Sequence, residues 1–301
     1  IHRKQEALES WKYSKDYGVF YPLDIGNNQQ DMKNNLPIFY SSTGGELYHV
    51  LDKMGSVLIN ARSYEEDNLI LNKNYTGIKS VEANTNYLRQ FPVYDINNKL
   101  ITVSDNTTDW VLLVPMKYHN REKEIKQFFK KDRIDSVDYE KSFLKIKASD
   151  DVKNQQIKII WMVNNQKIFS FNPEVFKSEN NTIFDPIIQV ITTKNSLTVD
   201  RSPIGGGGCT DPLKVKLINR DPALTYKTLK PELIKLKLDD NMKHIITMDQ
   251  FILQEIYDLQ KQVTGLLFTG IGLLSGLLIL VVQNLVKIGR ASCRERVFAG
   301  C

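Results

Sequence analysis

Between Lys261 and Lys287 the chain carries no charged side chain, and the middle of that stretch, Gly265 to Val282, is almost wholly apolar. At about 1.5 Å per residue, roughly 20 helical residues cross a hydrocarbon core of about 30 Å. Only a helix satisfies its own backbone there without help from neighbouring chain. A core helix of a water-soluble protein rarely reaches this length without a charge, so the stretch predicts one transmembrane helix over 264–287. Within it Gly265, Gly270, Gly272, Ser275 and Gly276 thin one surface. Gly272 and Gly276 form a small-xxx-small pair, through which helix backbones pack closely. A lone span has little use for such a face, which points to partner helices. With one lysine at each end, charge does not set the orientation.

The residues leading into this stretch predict a stalk over 248–263. Thr247-Met-Asp-Gln250 has the capping-box spacing of a helix start. Ile252, Ile256, Leu259 and Val263 then recur at helical spacing, with no proline or glycine before Gly265. On the far side, residues 288–297 read Ile-Gly-Arg-Ala-Ser-Cys-Arg-Glu-Arg-Val, the string obtained by translating a common sequencing adapter in frame. Residues 288–301 are therefore set aside as an expected artefact. Without them the formal charge falls from +5 to +3, and Cys293 and Cys301 drop out. Cys209 alone forms no intramolecular disulfide. At the other end, Ile1 in place of Met leads us to expect a missing natural N-terminus.

Residues 1–247 have the mixed patterning of an α+β domain. Helices are predicted over 3–16, 45–54 and 224–238, and one capped by Asn120 with Ile125, Phe128 and Phe129 facing a core. Strands are predicted over 18–23, 56–60, 78–84, 100–103, 110–114 and 185–192, with an Asn-rich loop at Asn27–Asn35. Gln156–Val163 and Lys167–Phe171, separated by Asn164-Asn165-Gln166, predict a hairpin.

Candidate chemistry is sparse. Gly205-Gly-Gly-Gly208 lacks the following Gly-Lys-Ser/Thr of a phosphate loop and predicts a flexible surface turn. His2, His49, His119 and His244 are scattered, without zinc spacing. Glu65-Glu66-Asp67 and Asp239-Asp240 read as solvated charge. No catalytic, metal or cofactor residues are assigned, and the chain is not expected to be an enzyme. The mild positive charge is spread without a basic–aromatic stripe, so nucleic acid is not an expected partner.

Three local strings, in order, carry a resemblance. They are Ala83-Asn-Thr-Asn86-Tyr87-Leu88 followed by Phe91-Pro92-Val-Tyr-Asp95, then Val111-Leu-Leu-Val-Pro115-Met-Lys117-Tyr118. The third is Phe169-Ser-Phe-Asn172 followed by Asp185-Pro186-Ile-Ile-Gln-Val190. Together they resemble the bacteriocin-associated integral membrane proteins of Gram-positive bacteria, often described as immunity proteins. The resemblance covers roughly residues 5–287. It implies several transmembrane helices, a large extracytoplasmic domain after the first, and a layout similar to macrolide-exporter and cell-division permeases. The implied partners are the lipid bilayer, a separate ABC-type ATPase and a bacteriocin or other antimicrobial peptide. The implied function is a cell-membrane permease-like subunit in peptide immunity or export. The alternative is a membrane-anchored module that binds or senses a peptide without transport. The family gives no catalytic residue to carry over.

Overall fold

The computed structural model describes residues 11–26, 36–147, 150–153, 155–201 and 207–298. The expected loop Asn27–Asn35, most of the expected helix 3–16, His2 and Gly205-Gly206 lie outside these residues. The chain forms two units, residues 1–251 and 252–301.

The first unit is built on an eight-stranded mixed sheet. Its strands are β1 (Tyr17–Phe20), β2 (Val57–Asn60), β3 (Ser80–Asn84), β4 (Trp110–Pro115), β5 (Ile157–Met162), β8 (Ile187–Ile191), β9 (Leu213–Lys216) and β10 (Ile245–Thr247). A separate two-stranded sheet pairs β6 (Lys167–Phe169) with β7 (Thr182–Phe184). The order across the large sheet is β10-β1-β9-β2-β3-β8-β4-β5. β3 and β8 run parallel, as do β4 and β5, and the other neighbours are antiparallel. Two interior strands, β4 and β8, are buried on both faces and read as largely apolar runs. Trp-Val-Leu-Leu-Val-Pro of β4 is buried throughout, as is Ile-Ile-Gln-Val-Ile of β8.

The helices are α1 (Leu36–Ser42), α2 (Tyr48–Lys53), α3 (Glu66–Leu71), α4 (Thr85–Gln90), α5 (Glu122–Tyr139), α6 (Asp150–Lys153), α7 (Pro222–Lys235) and α8 (Met248–Phe298). One core joins Phe39, Leu47, Tyr48 and Leu51 to Leu229 and Leu233 of α7, to Val215 of β9 and to Leu217 just after it. A second places Ile125 and Phe129 of α5 against Trp110, Leu112 and Val114. Helix α7 starts as its sequence dictates. Asp221 accepts from Ala223 N and Leu224 N at 2.8 and 3.0 Å, and Pro222 takes the first turn, where a missing N–H costs nothing.

Three sequence expectations are corrected. The Asn164–Gln166 turn does not close a hairpin. β5 is taken along its whole length by parallel β4, while β6 pairs with β7. Residues 100–103 form no strand, only an isolated bridge from Leu100 to Tyr94. Asn120 sits inside a 3-10 turn, Met116–Arg121, and α5 begins at Glu122 with Arg121 at the cap position.

Helix α8 runs from Met248 to Phe298, through the expected stalk and apolar stretch and on into residues 288–298. Its capping box forms as the spacing predicted. Thr247 N donates to Gln250 Oε1 at 3.0 Å, and Gln250 N donates to Thr247 Oγ1 at 3.1 Å. The stretch Met248–Ile288, which belongs to the second unit from Ile252 onward, is long and apolar enough to cross a membrane. Its large apolar side chains stand open, with Leu266 73% and Leu273 72% exposed. A Cβ added at Gly272 or Gly276 would meet nothing within 4 Å.

Candidate functional site

The resemblance strings meet in the sheet domain, where they form scaffold. Asn84, fully buried, caps α4. Its Oδ1 accepts from Tyr87 N and Leu58 N, both at 3.0 Å, and its Nδ2 donates to Asp52 Oδ1 and Ser56 O, both at 2.9 Å. Asn86 Nδ2 reaches the same loop, donating to Asp52 O at 2.7 Å and Ser56 O at 3.0 Å. The Tyr87 hydroxyl donates to Phe169 O at 2.6 Å, and its ring stacks on Phe91 at 4.9 Å. Phe91 in turn packs on Phe169 and Phe171, so the first string is tied to the third. Burial pushes the Tyr87 hydroxyl pKa far up, keeping it a neutral donor.

A second junction ties the other strings. Lys117 Nζ meets Asp185 Oδ2 at 3.0 Å while Asp185 Oδ1 accepts from Gln166 N at 2.8 Å. Lys117 and Arg121 both lie over the Tyr118 ring, at 5.1 and 6.0 Å. Leu88 and Pro186 are buried, Pro115 ends β4, and Pro92 edges a cavity of about 100 Å³ with Leu88 and Ile101. None of these nine positions lines the cleft between α5 and strands β2, β3 and β8.

That cleft, about 410 Å³, opens beside α5 over β2, β3 and β8. Strand register sets its floor. Asn60 pairs with Glu82, Glu82 with Gln189, and Gln189 with Leu112. Directly paired residues share a face. The row therefore runs from half-buried Asn60 and Glu82 to buried Gln189 and on to Leu112, which packs in the core beneath α5. Asn60 Nδ2 donates to Glu82 Oε2 at 2.9 Å, and Gln189 Nε2 donates to Ser80 Oγ at 2.9 Å. Asn68 Nδ2 donates to Arg62 O at 2.9 Å and Glu65 Oε2 at 2.8 Å. Asn72 Nδ2 donates to Asn68 O at 3.1 Å. The side-chain oxygens of Asn68, Asn72 and Gln189 keep no partner among the described residues. Tyr75 and Phe128 supply aromatic walls.

Two carboxyls shape the electrostatics. Burial, helped by the nearby Asp200 carboxylate, pushes Glu82 up to about 7, against the Asn60 hydrogen bond and the Arg133 charge. Asp132 is raised from the same causes, burial first. The positive charge that opposes both shifts is that of Arg133.

Sequence reasoning missed Glu82 and Gln189, yet each left a signal. Gln189 is the one polar side chain in Ile-Ile-Gln-Val-Ile, and Glu82 is the one charged side chain in Ser-Val-Glu-Ala-Asn, set between the apolar Val81 and Ala83. Glu65 and Glu66 are corrected from solvated charge to structural acceptors. Glu65 Oε1 accepts from Asn172 Nδ2 and Glu66 Oε1 from Lys177 N, both at 2.8 Å. Of the glycine run, Gly207 and Gly208 hold positive φ, and Gly207 N donates to Asp211 Oδ2 at 2.8 Å. Nearby, Lys214 is buried with its ammonium donating to Cys209 O at 2.7 Å and to Asp211 O, and burial brings its pKa down to about 8. Among the described residues no group of three or more His, Cys, Asp or Glu could hold a metal ion.

No family model, curated protein or solved structure matches the chain.

Proposed function

We propose that this chain forms the outer domain and one transmembrane helix of a permease-like membrane subunit that handles a bacteriocin-type peptide. In this reading the sheet domain lies outside the cytoplasm and a separate ATPase supplies the drive. The observation that carries it is α8. The helix leaves a sheet strand through a closed capping box and then exposes every large apolar side chain from Leu253 to Ile288. Water would penalise such a surface at about 25 cal/mol per Å², and a hydrocarbon medium would not. The hydroxyls in the stretch are already satisfied from within. Thr264, Thr269 and Ser275 donate to the carbonyls of Gln260, Gly265 and Ile271 at 2.8–2.9 Å, as a helix in lipid requires. The resemblance strings supply the peptide and the ATPase.

The cleft suits the peptide part of this reading. Its amides and hydroxyls both donate and accept, matching the alternating N–H and C=O groups of an extended backbone. The same lining favours the second reading, passive capture by a membrane-anchored binding module. One experiment separates them. Sensitive cells producing the full-length protein are challenged with the peptide, with and without the Walker lysine of the neighbouring ATPase. The driven reading expects protection to vanish with that lysine. Protection that persists replaces it with passive capture. Loss of neither protection nor peptide binding on Asn68→Ala/Gln189→Ala would remove the cleft from both.

A further inference from the structure

In the cleft over β2, β3 and β8, donors are drawn into the fold while acceptors are left over. Both hydrogens of the Asn68 amide are used, on Arg62 O and Glu65 Oε2. The amides of Asn60, Asn72 and Gln189 each donate to a neighbour as well. The oxygens of Asn68, Asn72 and Gln189 and the Oε1 of Glu82 accept nothing among the described residues. Asp132 likewise has neither hydrogen bond nor ion pair there. Gln189 is the deepest of these, 7% exposed and part of the cleft lining. Its free oxygen is not one of the sealed unpartnered atoms of the domain, so it opens on the cleft. An amide oxygen set that deep is costly to leave unpaired.

Charge points the same way. Glu82 and Asp132 are the carboxyls of the lining, and the Asp200 carboxylate acts on both. Arg133, the cation that acts on both, is buried and engaged by Asp200 at 2.7 Å. Arg62 is drawn to Asp211 at 3.5 Å, which leaves Lys79 as the unengaged cation of the lining among the described residues. Burial first and the Asp132 charge second raise the Tyr75 hydroxyl pKa, so carboxylate and aromatic wall lie close together. The complement of this lining is a cation with several N–H donors and a face that rests on Tyr75 or Phe128. A peptide supplies it as a basic side chain, and an arginine carries five N–H donors in one plane. The volume, about 410 Å³, lies in the range of small-molecule sites and accommodates such a side chain.

We infer that the cleft selects a peptide segment bearing a basic side chain, its cation at Glu82 and Asp132 and its N–H groups on the Gln189, Asn68 and Asn72 oxygens. The inference rests on the peptide reading of the cleft and adds a charge preference to it. Around the Glu82 carboxyl stand Asn60 of β2, Asp132 and Arg133 of α5, and Asp200. A bound cation favours the ionised form of that carboxyl, which burial holds protonated up to about pH 7. Affinity for a basic peptide therefore rises from about pH 5.5 to about pH 8, and affinity for a neutral one does not.

Calorimetric titration of the full chain in neutral detergent tests this with capped alanine pentapeptides whose central residue is arginine or its neutral isostere citrulline. The arginine peptide should bind about tenfold tighter or more near neutral pH, with the rise in affinity described above. The margin should close in Glu82→Gln/Asp132→Asn that keeps native circular dichroism. The pH series on the wild type decides the matter even where the double variant fails to fold. Equal binding of the two peptides would overturn the charge preference and leave the peptide reading standing, whereas binding of neither would remove both. A margin that survives in the folded double variant, or an arginine-peptide affinity that is flat with pH, would also overturn the inference.

Discussion

Glu82 shows how one position in a strand becomes a chemical feature. Its neighbours Val81 and Ala83 are fully buried on the other face, so alternation turns Glu82 toward the cleft and the α5 side. There the carboxyl is partly withdrawn from water and faces two more carboxylates, and folding lifts its pKa from an ordinary value near 4.5 to about 7. Between those values the folded chain holds a proton that the unfolded chain has released. Its contribution to stability therefore falls as pH rises from about 4.5 to 7 and is flat above that. Glu82→Gln keeps an oxygen for the Asn60 amide and removes the titration. The variant should equal the wild type near pH 4.5 and exceed it at pH 8 by on the order of 2–3 kcal/mol. Urea midpoints at the two pH values test this; curves that stay parallel would show that the carboxyl is solvated.

At the level of elements, the start of α8 is fixed by contacts of two kinds, local and distant. The local kind is the Thr247–Gln250 box, legible in the sequence because all its partners lie within four residues. The distant kind seats the first turn in the sheet domain. Met248 is fully buried, Ser14 donates to Asp249, and Phe251 meets Tyr21 edge-on at 4.8 Å. Gly208 completes the seat with φ +88°, and a Cβ there would come within 2.3 Å of Phe251 Cε2. Gly208→Ala thus combines left-handed strain with overpacking and should cost about 2–4 kcal/mol. Thr247→Ala should cost about 1 kcal/mol. Thermal unfolding of the two variants side by side checks the ranking, and a smaller loss for Gly208→Ala would contradict the packing. The same division explains what the sequence disclosed. Buried strands such as β4 and β8, the apolar helix and the capping box depend on composition and short spacing. The Asn164–Gln166 hairpin failed because its turn chemistry is local, whereas the choice of β4 as the partner of β5 is made across the sheet. Glu82 and Gln189 acquire their place in the cleft only when strand register and α5 bring them together, which no short window of sequence displays.

At the scale of the whole molecule, the proposal turns on the medium around residues 264–287. They span about 36 Å as a helix, enough for a hydrocarbon core with modest tilt. A solvated helix and a lipid-embedded one respond oppositely to charge. Leu274 is 69% exposed. If water surrounds it, Leu274→Arg is neutral or improves solubility, as surface substitutions generally do. If lipid surrounds it, an arginine near the middle of the span costs about 2.5–3.5 kcal/mol of insertion. That corresponds to a fall of about a hundredfold or more in the integrated-to-free ratio. Leu259→Arg, in the expected stalk and 59% exposed, serves as the matched control because it lies outside the span. Alkaline carbonate extraction of membranes should therefore leave the wild type and Leu259→Arg in the pellet and release a substantial share of Leu274→Arg. Release of the wild type itself would place α8 in water and remove the permease and anchored-module readings together. It would leave the sheet domain and its amide-lined cleft to be understood as parts of a soluble binding protein.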